Sequence, residues 1–132
     1  MAEGRGQVRS YRDLVVWQKG VDHCVLVYAA VRTFPPDERY GLVSQMCRAV
    51  ASIPANIAEG HGRGTPRELA HFLTIARGSV MEIDTYATIA TRLEFAPESS
   101  MNEILAATDE IGRMLTALRA SALRRLSSTQ AN

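Results

Sequence analysis

The chain has 132 residues, of which 46% are apolar and 22% charged, and its formal net charge is +1. That size suits one domain with one core, and the apolar share excludes wholesale disorder. The near-neutral balance excludes a polybasic DNA-coating protein, although arginine carries almost all the positive charge and Lys19 is the only lysine. Arginine offers planar, bidentate contact to phosphate or carboxylate, while the base composition of a GC-rich genome explains the same bias. No apolar run of about 20 residues occurs, and no N-terminal apolar run precedes a cleavage site. The expectation is a cytoplasmic protein without membrane contact, with Cys24 and Cys47 as reduced core thiols.

Residues 1–9 carry two glycines and no apolar period, and read as a flexible arm. Residues 10–126 form four periodic blocks, and residues 127–132 read as a disordered tail. In the first block Leu14, Trp17, Val21, Cys24, Tyr28 and Val31 are spaced 3, 4, 3, 4, 3, a heptad seam that predicts a helix from about Ser10 to Arg32. Thr33-Phe34-Pro35-Pro36 breaks it, because proline lacks the N–H and clashes with the preceding turn. In the second block Val43, Met46, Val50, Ile53 and Ile57 form the seam. Pro54 inside it frees the Val50 carbonyl and predicts a kink. The glycines at 60, 62 and 64 are expected to end this helix.

Thr65-Pro66-Arg67-Glu68 opens the third block as a capping box with proline at the first helical position. Leu69, Leu73, Ala76, Val80, Ile83, Ala87 and Ala90 follow. Pro97 marks the next break, and Met101, Ile104, Thr108, Ile111, Leu115, Leu118 and Ala122 form the fourth seam. Four such helices with short connections predict an all-α, antiparallel up-down-up-down four-helix bundle. Apolar surface is left over. Val16 and Val27 lie off the first seam, and the third block has a second stripe of Phe72, Ile75, Ser79, Tyr86, Ile89 and Leu93. Exposing such a stripe is costly. The reading is therefore a homo-oligomer, with Val16, Val27, Phe72, Tyr86 and Ile89 as candidate contacts between subunits.

Catalytic chemistry finds no complete set of residues. Glu68 and His71 have the Glu-x-x-His spacing once, and a di-iron bundle needs it twice. His23 lies on the first helix and His61 in the glycine turn. Ser44, Ser52 and Ser79 are mid-helix, a poor setting for an exposed nucleophile and a good one for close helix approach. The Gly60–Gly64 run follows a helix, not a strand, so it is neither a Walker loop nor a dinucleotide fingerprint. No metal, cofactor or small-molecule substrate is expected, and the chain reads as non-enzymatic. Arg63 and Arg67 flank the start of the third helix, where free N–H groups suit a phosphate. Arg113, Arg119, Arg124 and Arg125 suit the dipole of the fourth helix or a nucleic-acid face.

The run Ser52-Ile53-Pro54-Ala55-Asn56-Ile57-Ala58-Glu59-Gly60 resembles the signature of the four-helix-bundle family named for 23S rRNA intervening-sequence proteins. Leu14-x-x-Trp17-Gln18, Phe34-Pro35-x-x-Glu38-x-Tyr40-Gly41-Leu42, Gln45, Ala76-Arg77-Gly78-Ser79-x-x-Glu82 and Ile111-Gly112-Arg113-Met114-Leu115 agree in order. The resemblance covers roughly residues 11–119. It implies a homopentamer, and kinship with the accessory variability proteins of diversity-generating retroelements, which bind a reverse transcriptase and its template RNA. Arg48, Arg63, Arg67, Arg77, Arg113, Arg124 and Arg125 are then the candidate nucleic-acid contacts. Ser52, Pro54, Asn56, Glu59 and Gly60 are read as a structural motif, in which Asn56 and Glu59 satisfy backbone or partner groups exposed by the bend or pair with Arg63 or Arg48. The alternative is a protein-interaction scaffold that binds no nucleic acid.

Overall fold

The computed structural model describes residues 8–131, and every regular element among them is helical. Helix α1 spans Val15–Ala30, α2 Leu42–Gly62, α3 Pro66–Arg92 and α4 Glu98–Ala131. Short 3-10 turns occupy Tyr11–Asp13, Val31–Thr33 and Pro36–Glu38. The sequence places a disordered tail from residue 127, but the α4 backbone is helical through Ala131. Of the arm expected over residues 1–9, all but Val8 and Arg9 lie outside the described residues.

Capping chemistry sets the helix starts. The helix predicted from Ser10 divides into a three-residue hook and α1. The Ser10 hydroxyl accepts from the Arg12 N–H at 3.1 Å, and the Asp13 carboxylate accepts from the Arg9 and Ser10 N–H groups at 2.9 and 3.2 Å. This is a complete capping box, and the backbone turns extended at Leu14 before α1 begins. At the start of α3 the Thr65 hydroxyl accepts from the Glu68 N–H at 3.2 Å, which is the N-cap half of the predicted capping box. The same helix ends with Glu94 in the left-handed region, φ +57°, and the Phe95 N–H bonded back to the Ala90 carbonyl at 3.0 Å. That is a Schellman-type stop, with glutamate where glycine is the usual residue.

Helix α2 runs through Pro54 without a break in its assigned span. The Val50 carbonyl that Pro54 cannot serve accepts instead from the Cys24 thiol of α1 at 3.1 Å. Gly20 lets α1 approach there, since a Cβ at that position would sit 3.3 Å from the Pro54 Cβ. Similar contacts join the other neighbours. Gly60 meets Leu69 and Phe72, Ser52 bonds Ser79, Thr74 bonds Arg119, and Lys19 and His23 meet Glu110 and Thr108.

The core has two halves. One gathers Val27, Val31, Phe34, Met46, Val50, Ile83, Ala87, Met101 and Ile104. The other gathers Val16, Ile53, Ile57, Leu69, Leu73, Ile111, Leu115 and Ala122. Between them lies a waist of polar groups, where buried His23 meets buried Thr108 and half-buried Ser52 meets buried Ser79.

The fully buried face of α1 is offset from the predicted seam. Val16, Gly20, His23 and Val27 face the interior; of the predicted seam Val31 is buried just past the helix, Leu14, Trp17, Val21 and Cys24 are half-buried, and Tyr28 is exposed. Glycine and histidine interrupt the true stripe, so an apolar count selects its neighbour on the helix surface. Val16 and Val27 are thus core residues of the subunit, 4% and 0% exposed, and not contacts between subunits. On α3, Phe72 and Tyr86 are half-buried, and Ile75, Ile89 and Leu93 are exposed.

Candidate nucleic-acid interface

The fold separates charge that the sequence spreads evenly. The hook, the end of α2, the start of α3 and the last turns of α4 meet at one end of the bundle. Asp13 of the hook interacts electrostatically with His61 of α2, and Arg119 of α4 donates from Nε to Thr74 of α3 at 2.8 Å. Ala122 of α4 packs in the core half that also holds Leu69 and Val16. Among the described residues this end therefore carries Arg9, Arg12, Arg63, Arg67, Arg119, Arg124 and Arg125, with only Asp13, Glu59 and Glu68 for balance. At the opposite end, Arg32, Arg39, Arg48 and Arg92 are outnumbered by Asp37, Glu38, Glu94, Glu98 and Glu103. The two ends thus differ in sign, and the net charge of +1 sums them together with the charged residues that lie between.

Local chemistry holds the cations of the basic end. Arg63 bonds Glu59 from Nε at 2.9 Å, one helical turn back, and its guanidinium lies 5.2 Å from the centre of the Phe72 ring. Glu59 thus pairs with Arg63, one of the two partners the sequence offered. Arg12 lies over two aromatic rings, 5.7 Å from the centre of Tyr11 and 5.3 Å from that of Trp17. The rings themselves meet edge to face at 5.3 Å. Gln18 donates to the Arg12 carbonyl at 2.8 Å and pins the hook to α1. Backbone N–H groups of Arg9 and Ser10 hold the Asp13 carboxyl below its ordinary range, so the hook's own carboxylate stays ionised.

Of the seven arginines proposed from sequence, Arg63, Arg67, Arg124 and Arg125 come together at this end. Arg77 and Arg113 do not. They line a groove of about 430 Å³ between α3 and α4, with Val80, Met81, Asp84 and Thr108. Arg113 there is engaged with Asp109 at 3.0 Å. Arg48 lies on α2 beside the other half of the core, among none of the rest. Arg9, Arg12 and the aromatic pair Tyr11 and Trp17 were missed as site residues. The signal was present in Ser10-x-x-Asp13, a capping box that folds Arg12 back onto Trp17.

The motif from Ser52 to Gly60 is occupied with helix contacts. Ser52 Oγ donates to the Ala49 carbonyl at 2.8 Å and also meets the Ser79 hydroxyl of α3. Asn56 donates from Nδ2 to the Ser52 carbonyl at 2.7 Å. Gly60 does not end α2. It is buried inside it, and a Cβ there would stand 2.8 Å from the Phe72 Cβ. The turn falls at Gly64, φ +85°.

His23 is the most constrained polar residue. The Thr108 hydroxyl gives its proton to the Ile104 carbonyl at 2.7 Å, so the His23 Nε2–H must donate to Thr108 at 2.8 Å. Nδ1 is then a bare acceptor, buried without a partner. Burial lowers the histidine pKa to about 4 and keeps the ring neutral. Burial also pushes the Cys24 thiol up to about 11, with neighbouring Cys47 adding to it. Among the described residues no group of three or more His, Cys, Asp or Glu side chains is arranged to hold a metal ion. Glu68 gives only its backbone N–H to the Thr65 hydroxyl at the α3 cap, and His71 packs edge-on against Phe72 at 5.1 Å.

Residues 12–117 match the profile of the 23S rRNA-intervening sequence protein family. The chain belongs to that family. Its fold is similar to that of a protein of unknown function from the S23 ribosomal protein family of Bacteroides thetaiotaomicron, with a TM-score of 0.73 at 21% identity. The likeness covers 80% of this chain and 98% of that one. No curated protein matches the sequence. Among the described residues, no helix is long and apolar enough to cross a membrane. The family profile begins at Arg12, within the hook that carries the stacked arginine.

Proposed function

We propose that this member of the family is a non-enzymatic RNA-binding protein that holds RNA phosphates with the basic end of its bundle. The observation that carries the reading is the gathering of Arg9, Arg12, Arg63, Arg67 and Arg124 at one end of a nearly neutral chain. Phosphate contacts supply most of the affinity in such complexes and steer association over a Debye length. Falling partner numbers across each helix pair support antiparallel, up-down-up-down helices within the subunit. The motif from Ser52 to Gly60 is structural in this reading. It seats α2 against α1 and α3, and touches no RNA.

The working unit is a homo-oligomer, with five subunits as the number the family resemblance implies. Exposed Ile75, Ile89 and Leu93, flanked by half-buried Phe72 and Tyr86, form the face of α3 that supports this. Five basic ends in one ring multiply the phosphate contacts without new chemistry. The two unpaired thiols suit a reducing cytoplasm, where a ribosomal or reverse-transcriptase particle supplies the RNA. The same apolar face favours a second reading, a scaffold that recruits protein and no nucleic acid.

Fluorescence anisotropy with a structured RNA at about 50 and about 200 mM salt separates the two, because phosphate binding weakens steeply over that range. Binding at the lower salt that falls at least tenfold at the higher supports the RNA reading. Absence of binding at the lower salt removes it and leaves the scaffold.

A further inference from the structure

We infer that Tyr11 and Arg12 of the hook, together with Trp17 of α1, form a stacking platform for an unpaired nucleobase, which makes single-stranded RNA the preferred ligand of the basic end. The inference rests on the phosphate-binding reading above and names the class of RNA that the same end selects.

The guanidinium of Arg12 lies over both rings at 5.7 and 5.3 Å, and the Arg12 residue is exposed. Tyr11 and Trp17 lie against that cation, the Arg12 side chain is otherwise exposed, and a nucleobase has the same flat, polarisable shape to offer its open side. A base stacked on a guanidinium already braced by aromatic rings gains dispersion and cation–π attraction together.

The platform is rigid before any ligand arrives. The Ser10–Asp13 capping box fixes the turn, the Gln18 side chain holds the Arg12 carbonyl at 2.8 Å, and Trp17 is anchored half-buried against the core. Little ordering entropy is left to lose on binding. Phosphate-binding arginines stand at the same end, so a strand laid on the platform meets cations on its backbone. An A-form duplex keeps its bases stacked inside and offers this platform only sugar and phosphate edges.

The bundle contains its own control. Arg39 lies 5.3 Å over Tyr40 at the other end, and Tyr40 is 85% exposed. The stacking geometry is similar, but Asp37, Glu38, Glu94 and Glu98 surround that end with charge that repels a phosphate backbone. Stacking without phosphate attraction is expected to bind no RNA.

Trp17 is the only tryptophan in the chain, so intrinsic emission reads the platform directly. Full-length protein is titrated at about 50 mM salt with a single-stranded oligoadenylate and with an RNA duplex of the same length, following Trp17 emission and anisotropy. The platform predicts quenching by the single strand and little change with the duplex. Arg12→Gln is expected to weaken single-strand binding roughly tenfold, with a much smaller loss for the duplex. Arg12→Lys keeps the charge but not the planar face, and is expected to remain weak. Arg39→Gln is expected to change neither.

Single-strand binding with unchanged Trp17 emission, equal losses for both RNAs in Arg12→Gln, or full recovery in Arg12→Lys would each overturn the platform. Those results leave the basic end as a phosphate contact. Failure of both RNAs to bind overturns the phosphate reading itself, and the platform with it.

Discussion

At one end of the bundle Arg12 lies over Trp17 among Arg9, Arg63 and Arg67. At the other, Arg39 lies over Tyr40 among Asp37, Glu38 and Glu98, and both guanidinium-to-ring distances are 5.3 Å. The two ends share helices and a stacking geometry, and differ in the sign of the charge around it. Net charge therefore says little about nucleic-acid binding in a rod-shaped domain. A bundle about 30 Å long exceeds the Debye length of roughly 8–10 Å, so each end acts on a ligand almost alone. The waist at His23, Thr108, Ser52 and Ser79 divides the core in the same place, and that makes the comparison open to perturbation.

The largest expected effect on stability lies at the waist. His23 has a folded-state pKa of about 4 against an ordinary 6.5, because burial penalises the charged ring. The folded state thus binds fewer protons than the unfolded one. Stability is fully present above pH 6.5 and is lost as the pH falls from there through 4, on the order of 3 kcal/mol in all. Lys19 and Asp22 on α1 and Glu110 on α4 line a small pocket together with His23, and Lys19 and Glu110 are paired at 3.2 Å. Urea unfolding of the wild type and of His23→Leu between pH 7 and 4.5 checks this. The variant is expected to lose much less stability on acidification, and parallel losses would contradict the neutral, buried ring.

A smaller effect belongs to the basic half. Gly60→Ala brings a Cβ within 2.8 Å of the Phe72 Cβ and is expected to cost about 2 kcal/mol. Gly78→Ala meets nothing within 4 Å and is expected to stabilise the subunit by about 1 kcal/mol. Opposite signs in thermal melts support Gly60 as a close-approach glycine, and equal signs would sink that role. Next comes Cys24→Ala, which strips the Val50 carbonyl of its donor beside Pro54 at an expected cost of about 1–2 kcal/mol. Cys24→Ser restores a donor, so it should recover part of the loss if the hydrogen bond is the cause. The smallest effect is at the acidic end. Glu94→Gly relieves a left-handed non-glycine residue and is expected to stabilise by less than about 1 kcal/mol, read as a small rise in Tm.

The helices were legible where the interior is apolar throughout. The seam of α4 is buried from Met101 to Leu115, with Thr108 correctly included, and that of α3 at Leu69, Leu73, Ala76, Ile83, Ala87 and Ala90. Legibility failed on α1, where close approach to Pro54 requires Gly20 and the waist requires His23. Neither residue registers as apolar, and the error placed Val16 and Val27 on the outside. The site was half legible. Arg63, Arg67, Arg124 and Arg125 were found by their positions near helix ends. Separating them from Arg48, Arg77 and Arg113 takes knowledge of which helix ends meet, and that is a tertiary fact. Arg12 was hidden because a capping box, and not an apolar period, sets its place.

The central claim is that location, not amount, of positive charge decides RNA binding. The most direct measurement compares two triple variants with the same net charge, Arg63→Gln/Arg67→Gln/Arg124→Gln and Arg32→Gln/Arg39→Gln/Arg92→Gln, in anisotropy titrations with one RNA at about 50 mM salt. The account predicts at least a tenfold loss and a shallower salt dependence for the first, and wild-type binding for the second. Equal losses in both, or the greater loss in the second, would contradict it.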